Sequence, residues 1–185
     1  MAIIASAGSS GEYTPAPAGV HQAVCCDVVD LGIIESEWQG QRKRAHKVRI
    51  VWQIDATMAD GRPYTVSSRY TLSLHEKSRL RADLQSWRGR AFTAEELQRF
   101  DLENLIGAGC LLNVMHEGRA GKTYANVSAI MPLPARTQKL TVSADYVRQQ
   151  DRQAREASPV DQIAQALDAW ATVPAADVSS DDIPF

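Results

Sequence analysis

The sequence predicts a mainly β domain: a five-stranded barrel with a helical insert between its third and fourth strands, followed by a largely disordered acidic tail. Three observations predict it. Two β-branched, strictly alternating runs flank the turn signal Asp60–Gly61, a helix-period segment interrupts the strands after Leu74, and the composition changes after Pro134. With 185 residues, 44% of them hydrophobic, the chain can bury one sizeable core.

Residues 5–19, rich in Gly, Ser, Pro and Ala, read as part of a flexible N-terminal arm covering 1–19. Val20 to Ile34 is the first strand, and Glu35 to Arg44 a polar connection that holds Trp38, Gly40 and the cluster Arg42, Lys43 and Arg44. The second strand, His46 to Ala56, alternates strictly: Val48, Ile50, Trp52 and Ile54 on one face, Lys47, Arg49, Val51 and Gln53 on the other. Asp60–Gly61 is a hairpin turn. In the third strand, Tyr64 to Leu74, the residues Tyr64, Val66, Tyr70, Leu72 and Leu74 face inward and Thr65, Ser67, Arg69, Thr71 and Ser73 outward.

Glu76 to Trp87 is helical, with Leu80, Leu84 and Trp87 at helix spacing. Thr93 and Glu96 make a capping box for a second helix carrying Leu97, and Asp101 to Ile106 adds one turn. Cys110 to His116 is the fourth strand, Glu117 to Gly121 a turn, and Lys122 to Met131 the last strand, with Ala125, Val127, Ala129 and Met131 inward and Lys122, Tyr124 and Asn126 outward. Pro132 and Pro134 end it. Strand, strand, strand, helix, strand, strand is the order of an OB-fold, assigned to residues 20–134. Residues 135–180 read as a linker, with a short amphipathic helix near 158–171: Ser158 is its N-cap, Pro159 opens it, and Val160, Ile163, Ala164, Leu167 and Trp170 form its stripe.

Net charge is −2, so no global basic footprint marks the chain, but the average hides an asymmetry. Residues 1–134 hold 15 Lys or Arg against 14 Asp or Glu, whereas from Glu156 onward there are six acidic residues and no Lys or Arg. An acidic tail on a near-neutral body is expected not to be the part that holds a polyanion. On the body, the outward strand positions gather Lys47, Arg49 and Arg69; the first connection adds Trp38, Arg42, Lys43 and Arg44; and the last hairpin adds Arg119, Lys122 and Tyr124. A cationic track with aromatic faces is what a single-stranded nucleic acid needs, phosphates on the charges and bases on the rings. Trp52 and Tyr70 share the parity of Ile50 and are expected in the core, and Trp87 is expected to pack the helix on the barrel.

The last five residues, Asp181, Asp182, Ile183, Pro184 and Phe185, join two carboxylates to a short apolar hook ending in an aromatic ring. Such a peptide suits a small pocket with a basic rim and a hydrophobic floor. This tip resembles the C-terminal peptide of bacterial-type single-stranded DNA-binding proteins, with two Asp preceded by Ser179 and Ser180 where the usual form has a longer Asp run. The helical stretches 84–90 and 100–105, with 121–127, look like those of phage-encoded single-stranded DNA-binding proteins. The resemblance implies a protein that coats single-stranded DNA during phage replication, recombination or repair and recruits replication proteins through its tip. Outside the tip the bacterial proteins are not closely matched, so their tetramer is not implied; a homo-oligomer remains open. An adaptor of the same fold that docks partners through the tip without holding DNA is the rival reading.

Cys25, Cys26 and Cys110 lack CxxC spacing, and the first two are expected on opposite faces of a strand as buried thiols in a reducing compartment. No metal or cofactor is expected: His21, His46, His75 and His116 have no ligand spacing, and no HExxH, GxSxG or Walker loop occurs. His75–Glu76 and the pair Asp101 and Glu103 are weak signals, so an enzyme is not expected. With no secretory leader and no membrane-length apolar run, a cytoplasmic location is expected, the host's if phage-encoded.

Overall fold

The structure is a computed structural model that describes residues 14–38 and 41–153, with the side chains of Trp38 and Gln41 outside that description. Its elements are β1 (Gly19–Trp38), β2 (Gln41–Thr57), β3 (Pro63–Thr71), α1 (Arg79–Arg88), α2 (Ala94–Gln98), a 3-10 turn (Leu102–Leu105), β4 (Gly109–Arg119) and β5 (Lys122–Pro132). The strands form one antiparallel sheet in the order β3-β2-β1-β4-β5. Its edge strands β3 and β5 approach one another, although no ladder joins them among the described residues.

Val48, Ile50, Trp52 and Ile54 are all buried, as the alternation of β2 predicts. Val66 and Tyr70 join them from β3, and Ala23, Cys25, Cys110, Leu112 and Val114 from β1 and β4. The core is closed by α1. Its stripe of Leu80, Leu84 and Trp87 is buried, each such side chain contributing roughly 1.5–3 kcal/mol by its removal from water. The Trp87 ring sits 5.8 Å from that of Trp52, and its indole N–H donates to the Gly109 carbonyl at 2.9 Å. The helix also shields an open sheet edge: Arg79 donates to the Val127 carbonyl and Ser86 to that of Ile130, both on β5. Gly89 ends α1 in the left-handed region at φ 66°, a conformation that a side chain would strain.

The capping box predicted at Thr93 is present in both directions, the Thr93 hydroxyl accepting from the Glu96 N–H and the Glu96 carboxylate from the Thr93 N–H. That carboxylate also binds Arg88 and Arg90, and these partners hold its pKa at about 2. The Arg88 guanidinium in turn lies over Phe92 at 4.6 Å and Phe100 at 5.3 Å.

The structure corrects five expectations. First, Glu35–Trp38 and Gln41–Arg44 are strand rather than connection. The first two strands continue as a two-stranded ribbon in which Glu35 faces Arg44, Ser36 faces Lys43 and Glu37 faces Arg42. A ribbon with both faces in water shows no apolar alternation, so its polar residues read as a connection; cross-strand charge pairs hold it instead. Second, Leu72 lies beyond the end of β3 and is 41% exposed. Third, Ser128 is a bulge opposite the step from Asn113 to Val114. It inverts the parity of β5, so Ile130 is buried and Ala129 exposed.

Fourth, the compact unit does not end at Pro134 but extends to Tyr146, and Val147 opens a second unit. Gln22 donates to the Gln138 carbonyl, the Ser143 N–H to the Gln53 side-chain oxygen at 2.8 Å, and the Tyr146 hydroxyl to Asp27 at 3.3 Å. This segment covers one end of the sheet's outer face, and there Val24, Cys26, Asp27 and Gln53 are buried. Polar, aperiodic sequence can be held by single hydrogen bonds that leave no periodic trace. Cys25 and Cys26 are therefore both buried, one in the core and the other at a bulge of β1 under this cover. Burial pushes the Cys110 thiol up to about 12 and that of Cys25 higher still, which makes both poor nucleophiles at neutral pH. Fifth, the described end of the N-terminal arm is held before β1 begins: Ala16 is buried and its carbonyl accepts from His116 at 2.7 Å.

The proposed helix near 158–171 and the tip Asp181–Phe185 lie outside the described residues.

Candidate nucleic-acid interface

Strand parity divides the cations of β2 into two sets. No bulge interrupts this strand from Gln41 to Gln53, so Lys43, Lys47, Arg49, Val51 and Gln53 share the outer face, and Arg42, Arg44 and His46 share the side of Val48 and Ile50. On the outer face Arg49 stands directly opposite Arg69 of β3, and Lys47 opposite Thr71, to whose hydroxyl its ammonium donates at 2.8 Å. From Gln41 to Gln53 the outward positions of β2 contain no carboxylate, nor do Thr65, Ser67, Arg69 and Thr71 beside them. Cations on facing strands can donate together to one bound anion.

The ribbon at the end of β1 and β2 differs from what its composition suggests. Arg44 bonds Glu35 at 3.0 Å, and Arg42 lies across from Glu37. The cluster of three cations is thus split: Arg42 and Arg44 face carboxylates, and Lys43 alone extends the outer cationic strip. Trp38 closes β1 at the ribbon tip, opposite Gln41.

The other ribbon ends in a two-residue turn, Ala120–Gly121, with φ of 50° and 74°. Two successive positive φ values match the twist of the flanking strands and set Arg119 directly opposite Lys122. Tyr124 follows on the same face, 41% exposed, with Met115 also exposed nearby. Tyr124 lies across from Glu117, whose carboxylate accepts from the Asn126 amide at 2.6 Å. Arg119, Tyr124 and Asn126 line a shallow open hollow there.

Two groups of the expected residues are therefore brought together: Lys43, Lys47, Arg49 and Arg69 on the sheet, and Arg119, Lys122 and Tyr124 on the second ribbon. The two groups are not merged. β4 pairs with β1 only over Gly19–Val24 and runs on past Gly19, whereas β2 follows β1 to its far end, so the ribbons leave β1 at opposite ends. The reading from sequence missed the cover over Gln53, which removes that residue from the exposed strip; a Tyr and an amide 119 and 90 residues from their partners give no local signal. Among the described residues no group of three or more His, Cys, Asp or Glu side chains could hold a metal ion, and no helix is long and apolar enough to cross a membrane. Compared with known proteins, the chain matches no family model and no curated sequence.

Proposed function

We propose that this protein binds single-stranded DNA without strong sequence preference, through an OB-fold whose outer β2–β3 face carries the phosphates. The observation that carries this reading is the direct opposition of Arg49 and Arg69 beside Lys47, on a strip with no outward carboxylate. The approach of β3 to β5, with helices between the third and fourth strands, supports a closed barrel. The exposed Tyr124 next to Arg119 and Lys122 supplies an aromatic face with cations, a pairing suited to stacking a base, worth about 1–3 kcal/mol. The tip Asp181–Phe185 recruits replication or recombination proteins through a basic-rimmed apolar pocket, on the strength of its sequence.

Fluorescence anisotropy of a labelled oligothymidine tests this. Binding at low salt that weakens as salt rises supports the reading. Failure to bind at low salt refutes it and leaves the adaptor that docks partners through the tip. Deleting Asp181–Phe185 is expected to leave DNA affinity equal or slightly higher, since an acidic tail competes with DNA for the cationic strip.

A further inference from the structure

The hollow on the β4–β5 ribbon contains a carboxylate that phosphate binding does not explain. Three cross-strand pairs share one face of this ribbon, in order toward its tip: Met115 with Asn126, Glu117 with Tyr124, and Arg119 with Lys122. All six are exposed. Glu117, Arg119, Tyr124 and Asn126 line a hollow of about 450 Å³, within the roughly 300–1,000 Å³ of small-ligand sites. The cations at the tip suit a phosphate and the Tyr124 ring suits a stacked base, but Glu117 beside them repels phosphate. Among the described residues Glu117 forms no ion pair, in contrast to Glu35 with Arg44 and Glu96 with Arg88 and Arg90. Its bond is to the Asn126 amide, which donates to one carboxylate oxygen at 2.6 Å and orients the group beside the ring. That bond takes one lone pair of about four, which leaves both oxygens able to accept.

We propose that this hollow selects guanine: a base stacked on Tyr124 presents its Watson–Crick edge to the Glu117 carboxylate. This rests on the DNA-binding function proposed for the chain and adds one base-selective position to an otherwise sequence-tolerant track. Guanine is the base whose edge carries two adjacent donors, N1–H and the 2-amino group, which a carboxylate accepts side by side. Cytosine and adenine each offer one amino donor beside a ring-nitrogen acceptor. The single N–H of thymine lies between two carbonyls, which a carboxylate repels. Thymine therefore stacks on Tyr124 without a partner at Glu117, and guanine gains one. Guanine O6, next to N1–H, is left for a cation, and Arg119 stands two residues from Glu117 on the same face.

The test is fluorescence anisotropy of the full chain with the shortest labelled oligothymidine that binds, and with versions carrying one dG at each position in turn. A single guanine avoids self-association of the strands, and the short length limits the registers in which they bind. At one position dG is expected to tighten binding at least about fivefold, the low end of what one bidentate base contact discriminates. Hypoxanthine there, which lacks the 2-amino group, removes most of the gain, and 7-deazaguanine, whose Watson–Crick edge is intact, keeps it. Glu117→Gln holds or slightly raises the affinity for oligothymidine, because a negative charge is removed, and loses the dG preference. A dG preference that survives Glu117→Gln, or that hypoxanthine keeps in full, assigns the effect to stacking alone and overturns the proposal. Salt-sensitive binding with no gain at any position overturns it and leaves the DNA-binding function standing. Absence of binding to every oligomer overturns both.

Discussion

The two ribbons of this protein are alike in architecture and opposite in electrostatics. Each is a pair of antiparallel strands running beyond the sheet, and each carries Arg and Lys near its end. In the β1–β2 ribbon the strand opposite the cations supplies carboxylates, at Glu35 and Glu37. In the β4–β5 ribbon the strand opposite Arg119 supplies Lys122. A count of basic residues treats these alike, whereas the cross-strand partner decides whether a cation is neutralised or left for a ligand. On the sheet between them Arg49 of β2 stands across from Arg69 of β3.

That contrast yields a ranked series of outcomes. The largest effect is expected from Arg49→Ala/Arg69→Ala, which removes the opposed pair: affinity for labelled oligothymidine at low salt should fall by at least about 100-fold, since two charge-assisted contacts worth about 1.5–3 kcal/mol each are lost. Next comes Tyr124→Ala, expected to weaken binding by at least about fivefold through loss of a stacked base, while Tyr124→Phe keeps most of the affinity. Lys43→Ala should cost less and lower the salt slope by about 0.7, the share of one phosphate on a single strand. The smallest effect on DNA is expected from Arg42→Ala/Arg44→Ala, within about twofold, because those groups face carboxylates and surface ion pairs contribute little. Equal losses from the ribbon pair and the sheet pair would break the comparison.

A third charged cluster sharpens it from the side of stability. Glu96 is held at about 2 by Arg88, Arg90 and the Thr93 N–H, well below its ordinary 4.5. A depressed carboxyl pKa stabilises the fold above the unfolded-state value and loses that contribution as pH falls toward the folded-state value. Wild type should therefore be more stable than Glu96→Gln at pH 6, and the gap should close as acid unfolding is followed from about pH 4.5 to about pH 2. A gap that persists at pH 2 would assign the effect to packing of the Arg88, Phe92 and Phe100 stack instead.

Much of the fold was legible in the sequence wherever one face of an element is dry and the other wet. The alternation of Val48 to Ile54, the helix stripe of Leu80, Leu84 and Trp87, and the capping box at Thr93 each place their residues as predicted. Three kinds of feature escaped. The ribbon has no dry face, so hydrophobic period carries no strand signal there. The bulge at Ser128 displaced Ala129 and Met131 from the inward set, since one extra residue in a strand reverses every later side chain. The segment ending at Tyr146 has the sequence of a linker because its anchors, Gln22, Asp27 and Gln53, are remote in sequence and polar. At the candidate site, parity identified Lys47, Arg49 and Arg69 as one outward set, but which cations face carboxylates required the register.

The most direct test of the central claim is the salt dependence of oligothymidine binding in the two double variants side by side. If the opposed cations of the sheet hold the phosphates, the slope of log affinity against log salt should shrink by about 1.4 in Arg49→Ala/Arg69→Ala, two phosphates at about 0.7 each, and stay at the wild-type value in Arg42→Ala/Arg44→Ala. An unchanged slope in the first variant, or a matching loss in the second, would contradict the account.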